Sequence, residues 1–517
     1  MEESLLVSPI LAEQISRAAG QVQAGAITDD AFKPLRLSGG AHRQRQGDGY
    51  MVRIRIPGGR LTLAQWQAVA AVAGKRAQCA HLTLRQDIQF YGVQLEQVGE
   101  TINELAVAGV STYASGGSTV RNITAAVLGD QDPTYAFDPY PFAYGLSVRL
   151  SKHPLFNSLP RKFKIGFAGP AHEQAQGWLN DLGFIPALLA GTPGFRVVAG
   201  GGLGASPQNG FEIERFIPVE KAFSYAEAAM EYFATVSPKD KPLSNRFKFI
   251  LRAQGLETVR AAIHERLAGK ADELPAAAPV AAPGTVAAWI EAPVGDLTPA
   301  QLQGLGKALA AAGAQDLRIS FDQRLFVPGL APDALPHLLK AALALGLPAA
   351  EQPADLRLVV CAGPDTCNRG LVNSKALGKA LQGFTLPSEL RISGCQNGCS
   401  QHLVAPLGLQ GTVKSTPQGR QPCYVLRAGL PLGDSGLSFG PALLTLPARR
   451  VRPALEKLTA AWKAEAATTP FGDWLSAQPK GGLEARLGAG FSDGEDAWLD
   501  HGSDKPFEVQ LGGSECH

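Results

Sequence analysis

Four cysteines in two pairs carry the clearest chemistry in this chain. Cys361 and Cys367 bracket the stretch CAGPDTC, and Cys395 and Cys399 bracket CQNGC. Five residues separate the first two thiols and three the second two. Four thiolates converging from two loops are the ligand set of a cubane iron–sulfur cluster. A four-cysteine zinc site is the alternative, although such sites favour gaps of about two to four residues. Inert core cysteines are the third reading, and the Gly, Pro and Asn around both pairs speak against it. A disulfide is not expected in a chain whose first residues, MEESLLVSPI, form no export signal.

A second set of residues is cationic. Arg85 reads as mid-strand in LTLRQ, Arg121 follows a Gly–Gly–Ser–Thr turn, and Lys162 and Lys164 alternate along LPRKFK, which puts both on one face. Each alone is most simply a solvated surface charge. Arg85 and the lysine pair, however, are set in the apolar stretches IQFYGV and FKIGFAG, and a buried cation needs an anion. Each such pair is worth about 4 kcal/mol at about 4 Å and an effective dielectric near 20, before desolvation. Several together could hold a small dianion and deliver protons to it.

The glycine-rich VVAGGGLGAS, with Gly200, Gly201 and Gly202, lacks the GxGxxG spacing of a nicotinamide site. It is either a flexible turn or a close backbone approach to a large flat ligand. Arg246 and Lys248, in SNRFKFIL, either face that ligand's carboxylates or sit on a surface element.

These residues need a scaffold, and the chain contains one twice. After an N-terminal wrapping segment (1–48), residues 49–112 read strand, helix, strand, helix: YMVRIRIP alternates, Thr62 caps LAQWQAVAAVAGKR, HLTLRQDIQFYGV is a second strand, and a closing helix follows. That is half of a ferredoxin-like unit. Residues 285–350 repeat it, with Gln323 falling on Gln86 and Gly329 on Gly92. A second echo sets LPSELRISGC (386–395) on LPRKFKIGFA (159–168). Two neighbouring blocks recurring in the same order imply a duplicated half. The reading is α+β with a pseudo-twofold: paired ferredoxin-like half-domains, two larger α/β domains (113–271 and 351–470), an extended Pro/Ala linker (272–284) and a tail (471–517). Where the copies differ, one keeps cations and the other keeps cysteines. A site at their interface would use both.

Composition narrows the class. At 517 residues two to four domains are expected. A net charge of +2 without long basic runs suggests no nucleic-acid or membrane-surface partner, and no apolar run reaches a membrane span. A cytoplasmic, reducing location is expected, which keeps thiols available for iron.

Taken together, the half-repeats, LTLRQDIQF, Arg121–Asn122, LPRKFK, VVAGGGLG and the paired cysteines, in this order, resemble the sirohaem and [4Fe-4S] sulfite/nitrite reductase family from about residue 30 to about 470. The sirohaem comes from that resemblance alone. It implies that Cys361, Cys367, Cys395 and Cys399 hold the cluster, and that Cys399 also bridges to the sirohaem iron. Arg85, Arg121, Lys162 and Lys164 match the positions lining the anion site, and Asn397 lies beside the macrocycle. The implied reaction is a six-electron reduction of a small anion. Members dedicated to nitrite commonly carry Asn at the position of Lys164, so sulfite is favoured here. Electrons would come from a separate ferredoxin or flavoprotein. Nitrite reduction at the same site, a precorrin-modifying oxygenase of the same superfamily, and a non-catalytic iron–sulfur or zinc protein are the competing readings. Cys79 and Cys423 read as small core or surface residues, His402 as a supporting or packing residue rather than a haem ligand, and Cys516 as a dispensable exposed thiol rather than a redox one.

Overall fold

The computed structural model describes residues 9–510, except 46, 48, 170–172, 174, 239–243, 270–271, 273–276, 278–279, 281–283, 353–357 and 430–435, and also describes residue 515. Most of the proposed linker, and Cys516, lie outside the described residues.

The duplication is present in every sheet. Two five-stranded sheets form the ferredoxin-like layer. One runs Ala41–Arg43, Tyr50–Ile54, Ile88–Val93, Cys79–Leu82, Asp296–Leu297; the other runs Ala349–Ala350, Val286–Glu291, Arg324–Leu330, Asp316–Ile319, Arg60–Thr62. The outermost strand of each is donated by the other copy: Leu61 pairs with Leu317, and Leu297 with Ala80. Immediately after each exchanged strand a capping box starts a helix, Thr62 with Gln65 before Leu63–Arg76 and Thr298 with Gln301 before Pro299–Ala311. Those helices pack on each other, and the buried Trp66 donates its indole N–H to the Leu302 carbonyl at 3.2 Å. One apolar core therefore serves both copies, with residues from Ala12 to Leu347.

Two larger sheets follow the same plan as each other. Thr124–Ala125, Ile165–Phe167 and Leu182–Leu189 pair in parallel, and Thr192–Ala199 and Phe211–Pro218 continue antiparallel. Leu358–Val360, Leu390–Ser393, Leu407–Thr416, Gly419–Arg427 and Ala442–Pro447 repeat that order and those directions. Each sheet has its own core, one dominated by Phe137, Phe163, Phe184 and Phe195, the other by Leu390, Leu409 and Leu446.

Four local expectations are corrected. The stretch HLTLRQDIQFYGV is two antiparallel strands, not one, and Arg85 lies in the tight turn between them. The turn rests on Gln86 in the left-handed region (φ 61°), and Gln323 does the same in the second copy (φ 65°). Glutamine is no turn marker, so apolar alternation ran on through it. Lys162 and Lys164 flank the buried Phe163 in extended chain just before the strand that starts at Ile165. Arg55, read as the polar side of a half-buried strand, is only 2% exposed. The N-terminal segment, expected only to wrap the rest, holds two helices, Pro9–Gln23 and Asp29–Ser38, and adds an edge strand to a sheet.

Candidate active site

Parallel strand order explains how distant cysteines meet. Cys361 follows Leu358–Val360 and Cys395 lies just past Leu390–Ser393, and these strands are parallel neighbours with Val360 opposite Ile392. Both chains thus leave the sheet at the same end. There the Cys361 amide donates to the Ile392 carbonyl at 3.0 Å, and the Gly394 amide donates to Cys361 Sγ at 3.2 Å. Ser374 Oγ lies 3.3 Å from the same sulfur, and the Arg369 amide donates to Cys367 Sγ at 3.4 Å. Cys395 is buried, Cys361 and Cys367 are half-buried, and Cys399 and Asn397 are exposed. Burial pushes the Cys395 thiol up, and Cys399, Cys361 and Cys367 push it further. Four thiols facing one another repel as thiolates, and bound iron removes that cost. Among the described residues no three of these groups close on one ion-sized point. Four cysteines brought to one end of the sheet, two of them with amide donors on sulfur, fit the ligand set of a cubane.

The cations gather on the other copy. Arg85 leaves its turn to donate to the Asn180 side-chain oxygen at 2.8 Å and to the carbonyls of Asn122 and Ile165. Asn122 returns the bond, donating to the Arg85 carbonyl at 2.9 Å and to the Ile56 carbonyl at 2.6 Å. Arg121 donates to the carbonyls of Ser115 (3.1 Å) and Gly117 (2.8 Å) in the loop before it. Burial lowers Arg85 to about 10, with Asp87 and Asp181 opposing the shift. The Lys164 ammonium sits well below its ordinary value, first because of burial and then because of Arg85, Lys162 and Arg246. Asp87, 6% exposed, lies in the field of Arg53, Arg55, Arg85 and Arg121; burial nonetheless pushes its carboxyl up. Arg85 therefore links the lysine pair to the Arg121 loop.

The glycine loop is braced rather than loose. The Gly202 and Gln208 amides exchange bonds with each other's carbonyls at 2.9 and 2.8 Å. A Cβ on Gly201 would lie 2.0 Å from the Trp178 carbonyl, so only glycine fits there. Lys248, buried, donates to the loop carbonyls of Leu203 and Ser206. Arg246 stands just before the helix Phe247–Gln254, and its side chain grips the fully buried Asp181 at 2.8 Å. Asp181 also accepts the Lys164 amide at 2.9 Å.

A chain of side-chain amides joins the two sets. Arg85 donates to Asn180, Asn180 donates to the Gln176 carbonyl, and the Gln176 and Gln401 side chains exchange hydrogen bonds at 2.9 Å. Gln401 is two residues past Cys399. Beside it, Gly398 packs on Leu203 of the glycine loop, close enough that a Cβ would be 3.3 Å from Leu203 Cβ. The cationic copy, the glycine loop and the cysteine loop thus meet at one place. Asn180, Asp181, Gln176, Gln401, Arg55 and Asp87 escaped sequence reasoning. Only the twin Arg–x–Arg alternation at Arg53 and Arg55, aimed at the Arg121 loop, offered a signal. His402 is fully buried against Gln410, and burial lowers it to about 4, consistent with packing.

Comparison with known proteins agrees with this geometry. The nitrite/sulfite reductase ferredoxin-like half domain matches residues 42–108 and 282–345, both halves of the duplicated layer. The nitrite and sulphite reductase 4Fe-4S domain matches residues 116–271. The chain belongs to the nitrite and sulfite reductase family. The 4Fe-4S match covers residues 116–271, a stretch that holds no cysteine, and the paired cysteines lie beyond it. Members work with a [4Fe-4S] cluster and a sirohaem, and those are the cofactors of this oxidoreductase. Among the relatives, a ferredoxin–nitrite reductase of Synechococcus elongatus is 28% identical over 70% of this chain and 76% of its own length. The chloroplastic enzyme of Zea mays is 25% identical over 77% and 76%. A sulfite reductase [NADPH] hemoprotein beta-component of Xanthomonas campestris is 28% identical over 70% and 74%. The fold matches that of the Mycobacterium tuberculosis NirA protein with a TM-score of 0.78, over 93% of this chain and 98% of that one, at 20% identity. No helix among the described residues is long and apolar enough to cross a membrane.

Proposed function

We propose that this enzyme reduces sulfite to sulfide, with six electrons delivered one at a time by a separate ferredoxin or flavoprotein in the cytoplasm. Cys361, Cys367, Cys395 and Cys399 would hold the cluster, and Cys399 would also help to hold the sirohaem. Gly200, Gly201, Gly202 and Asn397 line the macrocycle, with Arg246 and Lys248 behind them. When bound, the coupled cofactors would pass the donor's electrons to the anion.

The chain's own residues supply the rest. Arg85 and Arg121 are held by backbone carbonyls, so their charges need no reorganisation when the anion arrives. Lys164 lies in the field of Arg85 and Lys162, and its depressed pKa lets the ammonium release a proton nearer neutral pH. Each oxygen lost as water needs two protons, and Lys164 is a donor whose ammonium burial has made more acidic.

The observation that favours sulfite is Lys164. Its Nζ has no hydrogen-bond acceptor among the described residues, and it lies in the field of Arg85, Lys162 and Arg246, opposed by the single carboxylate Asp181 that Arg246 already grips. That excess of positive charge suits a dianion better than a monoanion. Nitrite is the second reading, favoured by the relatives that reduce it. Steady-state assays with a reduced dye test the choice: kcat/KM should be higher for sulfite than for nitrite, and the reverse order refutes the assignment.

A further inference from the structure

Arg45 lies outside the anion site, in the short turn after the edge strand Ala41–Arg43. Its guanidinium Nη2 donates to the carbonyls of Asn368 (3.0 Å) and Gly370 (2.9 Å), the first and third residues after Cys367. Asn368 answers by donating its side-chain amide to the Arg43 carbonyl at 3.2 Å. Gln44 fixes the other side of the turn by accepting the Gly92 amide at 2.7 Å. Arg45 is half-buried, no carboxylate among the described residues pairs with it, and its Nε is buried without a partner. Burial lowers its pKa from the ordinary value, and the fields of Cys367 and Cys395 oppose that shift.

We propose that Arg45 is a positioning residue for electron entry: its fixed charge beside two cluster ligands favours the cluster's reduced state and raises its midpoint potential. The physical reason is simple. Reduction adds negative charge to a group already surrounded by thiolates, and potentials of such clusters follow net charge, hydrogen bonding and solvent exposure. A guanidinium stays protonated through the working pH range, so the effect is permanent rather than switched. Its two backbone bonds hold the charge at a constant distance through every turnover.

The inference rests on the cysteine assignment above. Redox titration of the holoenzyme, followed by electron paramagnetic resonance, tests it in wild type, Arg45→Gln and Arg45→Lys, with iron and sulfide counted in each. At the wild-type midpoint, Arg45→Gln should lower the reduced-to-oxidised ratio about tenfold, which is about 59 mV for one electron. Arg45→Lys, keeping the charge, should stay within about threefold. A wild-type potential in Arg45→Gln overturns the proposal, and so does an equal fall in both variants. Loss of iron from both variants also overturns it, because Arg45 is then a clamp on the loop. A wild-type protein with no cluster signal refutes the cysteine assignment instead.

Discussion

Gln86 and Gln323 pin the two copies together by the same hydrogen bonds, run in opposite directions. Gln86 donates to the Ile319 carbonyl of the other copy (2.9 Å) and exchanges bonds with Ala125 in the first large sheet (2.8 and 2.9 Å). Gln323 donates to the Leu82 carbonyl of the other copy (2.8 Å) and exchanges bonds with Val360 in the second large sheet (both 2.9 Å). Each side chain lies over a glycine, Gly59 or Gly295, where a Cβ would come within 2.8 and 2.3 Å of the amide nitrogen. Both glutamines hold a left-handed backbone that costs about 1 kcal/mol or more. Their turns aim the side chain across the pseudo-twofold.

The pins differ in what they steady. Val360 directly precedes Cys361, whereas Ala125 lies near the cations. Replacing either glutamine by Ala strands one amide and two carbonyls in the interior, and should cost about 3 kcal/mol in denaturant unfolding. Gln323→Ala should also lose iron to a chelator faster than wild type, while Gln86→Ala should not. Equal iron loss in both would show that the pins act only on stability.

Arg55 positions Arg121. Its Nε and Nη2 donate to the carbonyls of Tyr113 (3.2 Å), Ala114 (2.7 Å) and Val120 (2.8 Å), and its guanidinium sits 4.9 Å from the Phe156 ring centroid. Burial lowers this arginine to about 10. Arg55→Lys offers one ammonium where a planar fork spanned the loop. The expected result is a fall in kcat of at least about tenfold (about 1.4 kcal/mol) with cofactor content unchanged. Full activity in Arg55→Lys would mean the Arg121 loop holds itself.

How much of this was legible follows from the range of each interaction. The cysteines were legible because their spacing is local and their thiols have few other uses. The duplication was legible through matched positions such as Gln86 and Gln323. The exchanged strands were not: Arg60–Thr62 and Asp296–Leu297 are too short for any alternation to show. Nor was the chain from Arg85 through Asn180 and Gln176 to Gln401, whose links span up to 225 residues and use side chains with no periodic signature. The copies also invert a pair of charges, Arg85 and Asp87 against Asp322 and Arg324. Only Asp322 and Arg324 satisfy each other directly, at 2.7 Å. Sequence shows the inversion but not which pair closes on itself.

The cysteines differ in what their loss should do. Serine at Cys361 or Cys395 removes a thiolate where the sheet ends converge, and bound iron should fall from the four of a [4Fe-4S] cluster to near zero. Cys79→Ser and Cys423→Ser should keep all of it, since Cys79 borders the ferredoxin-like sheet and Cys423 is buried in a strand of the second large sheet. Iron retained in Cys395→Ser would remove Cys395 from the ligand set.

Lys164 gives the clearest pH dependence. Burial, Arg85, Lys162 and Arg246 hold its folded pKa well below 10.5, so between that depressed value and 10.5 the folded chain binds fewer protons than the unfolded one. Stability should therefore rise with pH across that window, and the charged lysine costs stability below it. In anion-free protein Lys164→Met should melt higher than wild type at neutral pH, and the difference should shrink as pH climbs. Activity runs the other way: the charged form binds the anion, so wild-type kcat/KM should fall as pH passes the depressed pKa. In Lys164→Asn that limb should vanish. The ratio of sulfite to nitrite kcat/KM should drop about tenfold, because a neutral amide removes more attraction from a dianion than from a monoanion. An unchanged ratio would release Lys164 from any part in choosing the substrate, and a lower melting point in Lys164→Met would show that its charge is already compensated.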